Sequence, residues 1–216
     1  MPDSKVVSVD IISDVMCPWC IVGYKQLEQA LGHTGMGAQI RWHPFELNPD
    51  MPPEGENTAE HIMRKYGTTK EQSDAARENM RSTGQSLGFK FNFRPDSRIV
   101  NSFQAHQLLD FALSQGKQHP FKMALFAAHF TEGRNVSDEA VLLEIVGEVG
   151  LDQELAKQAL SAETFASSVR EKEALWHSQG ITGVPSMIFG GKYLVTGAQG
   201  AENYAKVLER TLAEAA

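Results

Sequence analysis

The chain has 216 residues, of which 42% are apolar and 22% charged, the profile of a globular protein rather than a disordered or membrane-spanning one. Its 20 Lys and Arg against 27 Asp and Glu leave a net charge of −7, which makes a phosphate backbone a poor partner. No stretch approaches the ~18 apolar residues of a membrane span, and "MPDSKVVSVDIISD" has no apolar run that would serve as a secretory leader.

In chain order, "VVSVDII" (6–12) sets Val7, Val9 and Ile11 on one face, the alternation of a strand. Ile21, Tyr24, Leu27 and Leu31 then recur at helical spacing, and Gly32 predicts the helix end. "AQIRWHPF" (38–45) alternates again, so residues 6–45 read as a βαβ unit with parallel strands. "ELNPDMPPEGEN" (46–57) carries three prolines and reads as an extended passage out of the sheet. From 58 to 179 no strand is evident. Helices are predicted over 58–66, 69–87, 96–115, 120–131, 137–149, 152–160 and 162–179, with Ser137 before an acidic first turn and Pro120 just inside another start. "GVPSMIFGGKYLVTGA" is two short strands, 186–189 and 192–195, joined by Gly190–Gly191 as a two-residue hairpin loop. A last helix covers about 200–214. The fold class is therefore α/β. One domain is assembled from residues 1–50 and 171–216, and a helical insertion, 51–170, divides it.

The only two cysteines fall together in "DVMCPWCIVG", where the first strand hands over to the first helix. Cys17 stands at the N-cap and Pro18 at the first helical position, where a missing N–H costs nothing. Unpaired backbone N–H groups at that end favour an anion, and a thiol so placed is acidified. Cys20 is one turn on, on the same face. The pattern predicts that Cys17 forms a mixed disulfide with a substrate and that Cys20 resolves it. A zinc site is the main rival, but it needs four ligands; there is no second CxxC, and His33, His43 and His61 form no HxxxH pair. An inert pair is the remaining alternative. Two cysteines do not make a stapled secreted scaffold, so the cytoplasm is the expected location. On the residues alone, Val184–Pro185 reads as an ordinary trans proline opening a strand.

The order of strand, CPWC helix, strand, helical insertion and Val-Pro hairpin resembles DsbA-like members of the thioredoxin superfamily. Within that group it is similar to the FrnE-like subfamily, a relative of the branch holding the kappa-class glutathione transferases and 2-hydroxychromene-2-carboxylate isomerases. The matching stretches are "SDVMCPWCIVG", "HPFELNPDMPPEG", "NSFQAHQLLDFA", "HFTEGRNVSD" and "GITGVPSMIFGGKYLVTGAQ". The resemblance implies a thioredoxin fold with a helical insertion, a thiol–disulfide oxidoreductase, and a cis Pro185 facing the cysteines. It also implies that the backbone of Val184 pairs with substrate. Asn101, Gly197 and Gln199 match stretches that line the site in glutathione-handling relatives.

Trp19 is expected as an apolar rim for substrates beside Pro18. Asp14 is either a carboxylate that influences thiol protons or a turn former. His43 and Glu46 lie near the sheet end that carries the cysteines, with surface roles as the simpler reading, and His106 reads as a core histidine. Expected partners are protein or peptide thiols and disulfides, with glutathione a candidate co-substrate. No tightly bound cofactor and no metal is expected beyond the redox-active Cys17–Cys20 disulfide itself. Two rival functions follow: a glutathione-dependent isomerase or transferase, whose branch presents serine where Cys17 stands, and a peptide-binding, chaperone-like module. Direction of electron flow, client and oligomeric state are not encoded in any local pattern.

Overall fold

The computed structural model describes residues 6–52 and 54–214; Pro53, one of the three prolines noted above, and residues 1–5 of the N-terminal stretch lie outside the described residues. Strand β1 (Val6–Ser13) leads through a turn into helix α1 (Pro18–Thr34), which returns as strand β2 (Gly37–Pro44). β2 pairs parallel to β1 along its length, from Val6 opposite Gly37 to Ser13 opposite Pro44. On its other edge β1 pairs antiparallel with β5 (Ser186–Phe189), and β5 with β6 (Tyr193–Thr196), giving the order β2-β1-β5-β6. Segments from both ends of the chain thus complete one sheet. Gly190 and Gly191 have φ of 57° and 68°, and the Lys192 N–H closes the turn on the Phe189 carbonyl at 3.0 Å; because Phe189 pairs with Tyr193, Lys192 belongs to the loop and the second strand starts one residue later than expected.

One face of β1 is buried along its length and the other only towards its end, with Val6 and Ser8 exposed, which explains the alternation. Val7, Val9 and Ile11 pack with Ile21 and Leu27 of α1 and with Tyr204 and Leu208 of α9 (Ala201–Ala213). Ile12, on the opposite face, joins Phe45, Trp176 and Ile181 beneath α8 (Ala166–Ser178). α1 runs past Gly32, the expected stop, and ends at Gly35, whose φ of 64° is the left-handed C-cap.

Between β2 and β5 lie α2 (Thr58–Tyr66), α3 (Lys70–Ser86), α4 (Phe103–Ser114), α5 (Gln118–Phe126), α6 (Glu139–Glu148) and α7 (Gln153–Ser161) ahead of α8. Leu108, Leu125, Leu142, Ile145 and Val146 form their core. Four segments differ from the periodicity. The expected helix 96–115 begins only at Phe103, because Arg98–Ile99 (β4) pairs with Glu56–Asn57 (β3) in a short antiparallel ladder, so the stretch is not strand-free. The expected helix 120–131 begins at Gln118, ahead of Pro120, and changes at Ala127 into one π-helical turn, Ala127–Glu132. The cap of α6 is Asp138 rather than Ser137: its carboxylate accepts from the N–H groups of Ala140 and Val141, while the Ser137 hydroxyl is taken up by Asn135. The 162–179 helix is shorter, Ala166–Ser178, and the boundary drawn at residue 170 falls inside it.

Met80, Phe91, Phe126 and Phe130 of the helical segment enter the same apolar cluster as Cys17, Cys20 and the inner face of β1. The helical segment therefore packs onto the sheet at the end that carries the cysteines. Among the described residues no helix is long and apolar enough to cross a membrane.

Candidate active site

The site is organised by the junction after β1. Asp14 is buried, and its carboxylate accepts from the N–H of Met16 at 3.0 Å and of Leu47 at 2.7 Å, tying the turn before the helix to the chain leaving β2. Burial alone would raise this carboxyl. His106, 3.7 Å away across a buried gap, and the two backbone N–H donors outweigh it and hold Asp14 below the usual carboxylate range. His106 is itself 1% exposed and belongs to the packed interior, as its helical spacing suggests.

This turn delivers Cys17 to the N-cap of α1 in extended conformation (φ −96°, ψ 111°), with Pro18 opening the helix. The Cys20 N–H reaches back to the Cys17 carbonyl at 3.1 Å. Both thiols are unbridged; Cys17 is the outer one at 4% exposure, and Cys20 is sealed at 0%. Against Cys17 stands the loop before β5. The Cys17 thiol donates to the Val184 carbonyl at 3.6 Å, and the Val184–Pro185 peptide bond is cis. Pro185 in turn packs on α1, where an added Cβ at Gly23 would meet Pro185 Cγ at 3.1 Å and Met187 Cε at 3.2 Å. Any larger residue at 23 would press on the loop.

Hydrogen bonding to Cys20, burial and the nearby Asp14 charge push the Cys17 thiol well up. Burial alone would raise Cys20 too, but hydrogen bonds from Cys17 and Ser13 and the charge of Lys122 bring it down. Negative charge in the free dithiol is thus drawn to the inner sulfur.

Lys122 was not singled out by its sequence context. It sits on α5 with 0% exposure, its ammonium 5.4 Å from the Trp42 ring centroid and 4.9 Å from that of Phe126, with no hydrogen-bond partner among the described residues. Burial lowers it to about 8, against the attraction of Cys20, Asp14 and Cys17. A sequence signal existed. Gln118, Phe121, Lys122, Leu125 and Phe126 are all buried at helical spacing, so a lysine occupies an apolar face.

The other sequence-nominated residues divide into three groups. Trp19 is 45% exposed and lines, with Pro18 and Cys17, the mouth of a cavity. Gly197 donates its N–H to the Pro185 carbonyl at 2.7 Å, and its own carbonyl accepts from Tyr204; Gln199 bonds back to the Thr196 carbonyl and closes the turn. His43, Glu46 and Asn101 do not touch the thiols. His43 pairs with Asp10 at 2.7 Å, and Asn101 caps the start of α4 through Phe103 N–H at 2.9 Å. Glu46 is ion-paired to Arg170 of α8, and burial, then Glu173, raise it above its ordinary value against that pairing. The surface reading of His43 and Glu46 is thereby corrected: one is half-buried and the other buried, because both fasten the end of β2 to its neighbours. His129, also unforeseen, is brought to the cavity by the π-helical turn, and burial depresses it to about 4.

The fold that carries this site is shared. A model of the DsbA-like thioredoxin domain matches residues 8–209. The Bacillus subtilis protein YwbO is 29% identical over 205 residues, covering 94% of this chain and 96% of its own. The crystal structure of a probable DsbA oxidoreductase from Streptomyces coelicolor superposes with a TM-score of 0.90 at 30% identity, covering 96% of this chain and 91% of its own. At 19% identity the cytosolic disulfide reductase DsbM from Pseudomonas aeruginosa, solved with glutathione, shares the fold with a TM-score of 0.64 over 95% of this chain and 99% of its own. With its split sheet, its dithiol at the head of α1 and the proline loop against Cys17, the chain belongs to the DsbA-like thioredoxin family, whose fold it carries with a helical insertion.

Proposed function

We propose that the protein is a thiol–disulfide oxidoreductase whose working pair is Cys17 and Cys20. The observation that carries this reading is the approach of Cys17 to Val184, 3.6 Å from thiol to carbonyl. It leaves the outer sulfur at a helix N-terminus, beside a backbone group free to align a substrate chain. As a disulfide substrate approaches, the Cys17 thiol of the dithiol loses its proton to solvent, and the Cys17 thiolate attacks, expelling the first substrate thiolate. Cys20 then loses its proton to solvent, its thiolate facing the Lys122 ammonium, and attacks Cys17 Sγ, releasing the second substrate thiolate and closing the Cys17–Cys20 disulfide. Two electrons leave the protein and two protons are released; the same steps run backward oxidise substrate thiols. Supporting roles fall to Pro18, Trp19 and Pro185 around the mouth, and to Asp14 and Gly197 behind it. Thiol- or disulfide-bearing proteins, peptides or glutathione are the partner class, and the cytoplasm is the proposed location.

Cysteine substitution tests the assignment. Cys20→Ser should trap a mixed disulfide with substrate, and Cys17→Ser should abolish exchange, both read by thiol labelling and mass spectrometry. A glutathione-dependent isomerase would tolerate the loss of Cys20, and a peptide-binding module would tolerate both losses; full activity in both variants refutes the redox assignment.

A further inference from the structure

A cavity of about 560 Å³ runs from Cys17, Pro18 and Trp19 into the space between α2, α3 and residues 92–100. It lies within the ~300–1,000 Å³ of small-molecule sites. Met16, Ile62, Met80, Phe93, Val100 and Phe130 give it an apolar floor. Its charged lining is Lys65, Arg77, Arg94, Arg98 and Arg134 against a single carboxylate, Asp96. That bias is opposite to the −7 of the whole chain.

Part of this positive charge is already neutralised. Arg134 is held by Glu132, Glu144 and Glu148, and Arg94 by Asp96 at 3.4 Å. The other three have no carboxylate partner among the described residues. Lys65 donates to the Leu47 carbonyl and the Asn48 amide oxygen, and Arg98 to the carbonyls of Glu54 and Gly55. Arg77 is left over because the acids nearest in sequence, Asp74 and Glu78, are engaged by Lys70 and Arg81. A second feature points to a ligand independently. His61 is 6% exposed and lines the cavity; its Nδ1 is fixed to Glu56 at 2.5 Å, and its Nε2 is buried without a partner. A buried ring nitrogen left open costs free energy unless something fills the site.

Resting on the oxidoreductase reading above, we propose that this cavity presents to Cys17 a small disulfide with an apolar, aromatic-sized body and a carboxylate. The body lies on the Met, Ile and Phe floor, and the carboxylate meets Arg77 and Arg98. Glutathione disulfide is the competing occupant: its peptide groups would have to draw on Asn48, Ser73, Asn92 and Asn135 of the lining, whereas the proposed body needs only the apolar floor. In the reaction the Cys17 thiolate attacks one sulfur of Ar–S–S–Ar and expels ArS⁻. Cys20 then attacks Cys17 Sγ and expels the second ArS⁻; the substrate gains two electrons, the protein becomes the disulfide, and the two thiol protons go to solvent.

The test compares reduced protein against dithiobis(nitrobenzoate), an aromatic dicarboxylate disulfide, neutral dithiodipyridine and oxidised glutathione by stopped flow. Each rate is divided by that of a simple dithiol with the same reagent. The wild type should favour the dicarboxylate, and R77A/R98A should lower the dicarboxylate-to-dithiodipyridine ratio about tenfold, the effect of losing ~1.4 kcal/mol of charge-assisted contact. A second readout needs no thiol chemistry: anilinonaphthalene sulfonate should bind Cys17→Ser protein at one site per chain and be released by nitrobenzoate, with affinity about tenfold weaker when R77A/R98A is added. An unchanged ratio in R77A/R98A, or a preference for oxidised glutathione, overturns the cavity assignment while leaving the oxidoreductase reading standing. Wild-type protein that binds the dye but exchanges with no disulfide overturns the oxidoreductase reading and this substrate with it.

Discussion

Replacing Lys122 by methionine isolates the buried charge beneath the dithiol. The side chain is fully buried, and its pKa falls from the ordinary 10.5 to about 8. At 1.36 kcal/mol per pKa unit, the difference of 2.5 (10.5 − 8) corresponds to roughly 3 kcal/mol spent on keeping the ammonium charged at neutral pH. The sign follows from linkage. A lysine whose folded pKa is depressed costs stability below pH 8 and gives it back as pH rises from about 8 to 10.5, because the unfolded chain then binds more protons than the folded one. This cost is that of the dithiol, where the attraction of Cys20 and Cys17 already offsets part of it; in oxidised protein no thiolate faces the ammonium, so the cost is larger.

Two measurements follow from this asymmetry. Oxidised Lys122→Met should be more stable than oxidised wild type at pH 7 by about 3 kcal/mol or more in urea, and should lose the rise in stability above pH 8. Reduced protein should gain less. The reduction potential measured against glutathione should therefore fall, by at most ~65 mV if the whole 3 kcal/mol separates the two states. The Cys20 thiol should titrate higher by thiolate absorbance. Methionine keeps the length and apolar stem of lysine, so packing on Trp42 and Phe126 is retained. Equal shifts in oxidised and reduced stability, with an unchanged potential, would refute the coupling between Lys122 and the dithiol.

Two further substitutions probe the frame around the thiols. Gly23→Ala places a methyl 3.1 Å from Pro185 Cγ, and overpacking of this kind should cost about 1–3 kcal/mol and slow exchange by displacing the loop from Cys17; a stability change under about 0.5 kcal/mol in urea denaturation would show that the loop is not confined there. Asp14→Asn keeps the turn acceptor but removes the charge facing His106 and the Leu47 and Met16 N–H groups, at a cost of about 1–3 kcal/mol at neutral pH. Because the folded pKa of Asp14 is depressed, its contribution is present above the unfolded 3.8 and lost as pH falls below it. The variant's acid unfolding curve should be flatter in that range, and a curve parallel to wild type would exclude Asp14 as the titrating group.

What could be read in advance was what the chain decides locally. The alternation of Val7, Val9 and Ile11 and the Cys17-Pro18 helix start each depend on residues a few positions apart and are found as expected, and the glycines at 190 and 191 do make the turn, though Lys192 joins them in the loop. The errors came where a distant segment overrides local periodicity. Arg98 and Ile99 lie in a helix-like stretch but pair with Glu56 and Asn57, some forty positions earlier in the chain. Gly32 reads as a stop, yet it is accommodated in α1 because nothing crowds that face and Gly35 supplies the left-handed cap.

The same division runs through the site itself. Cys17 and Cys20 announce themselves because their chemistry and their spacing are written in four consecutive residues. The charges around them are not: Lys65, Arg77 and Arg98 come from α2, α3 and β4, each inside an unremarkable polar context, and they become a cluster only when those elements close over Cys17. Lys122 is the intermediate case. Its apolar helical face was visible, but a lysine there reads equally well as a solvated edge until Trp42 and Phe126 are seen to bury it. A lysine at a core-facing helical position is costly to keep. When the helix that carries it packs against a dithiol able to carry the opposite charge, retaining that cation tunes the thiols more directly than it stabilises the fold.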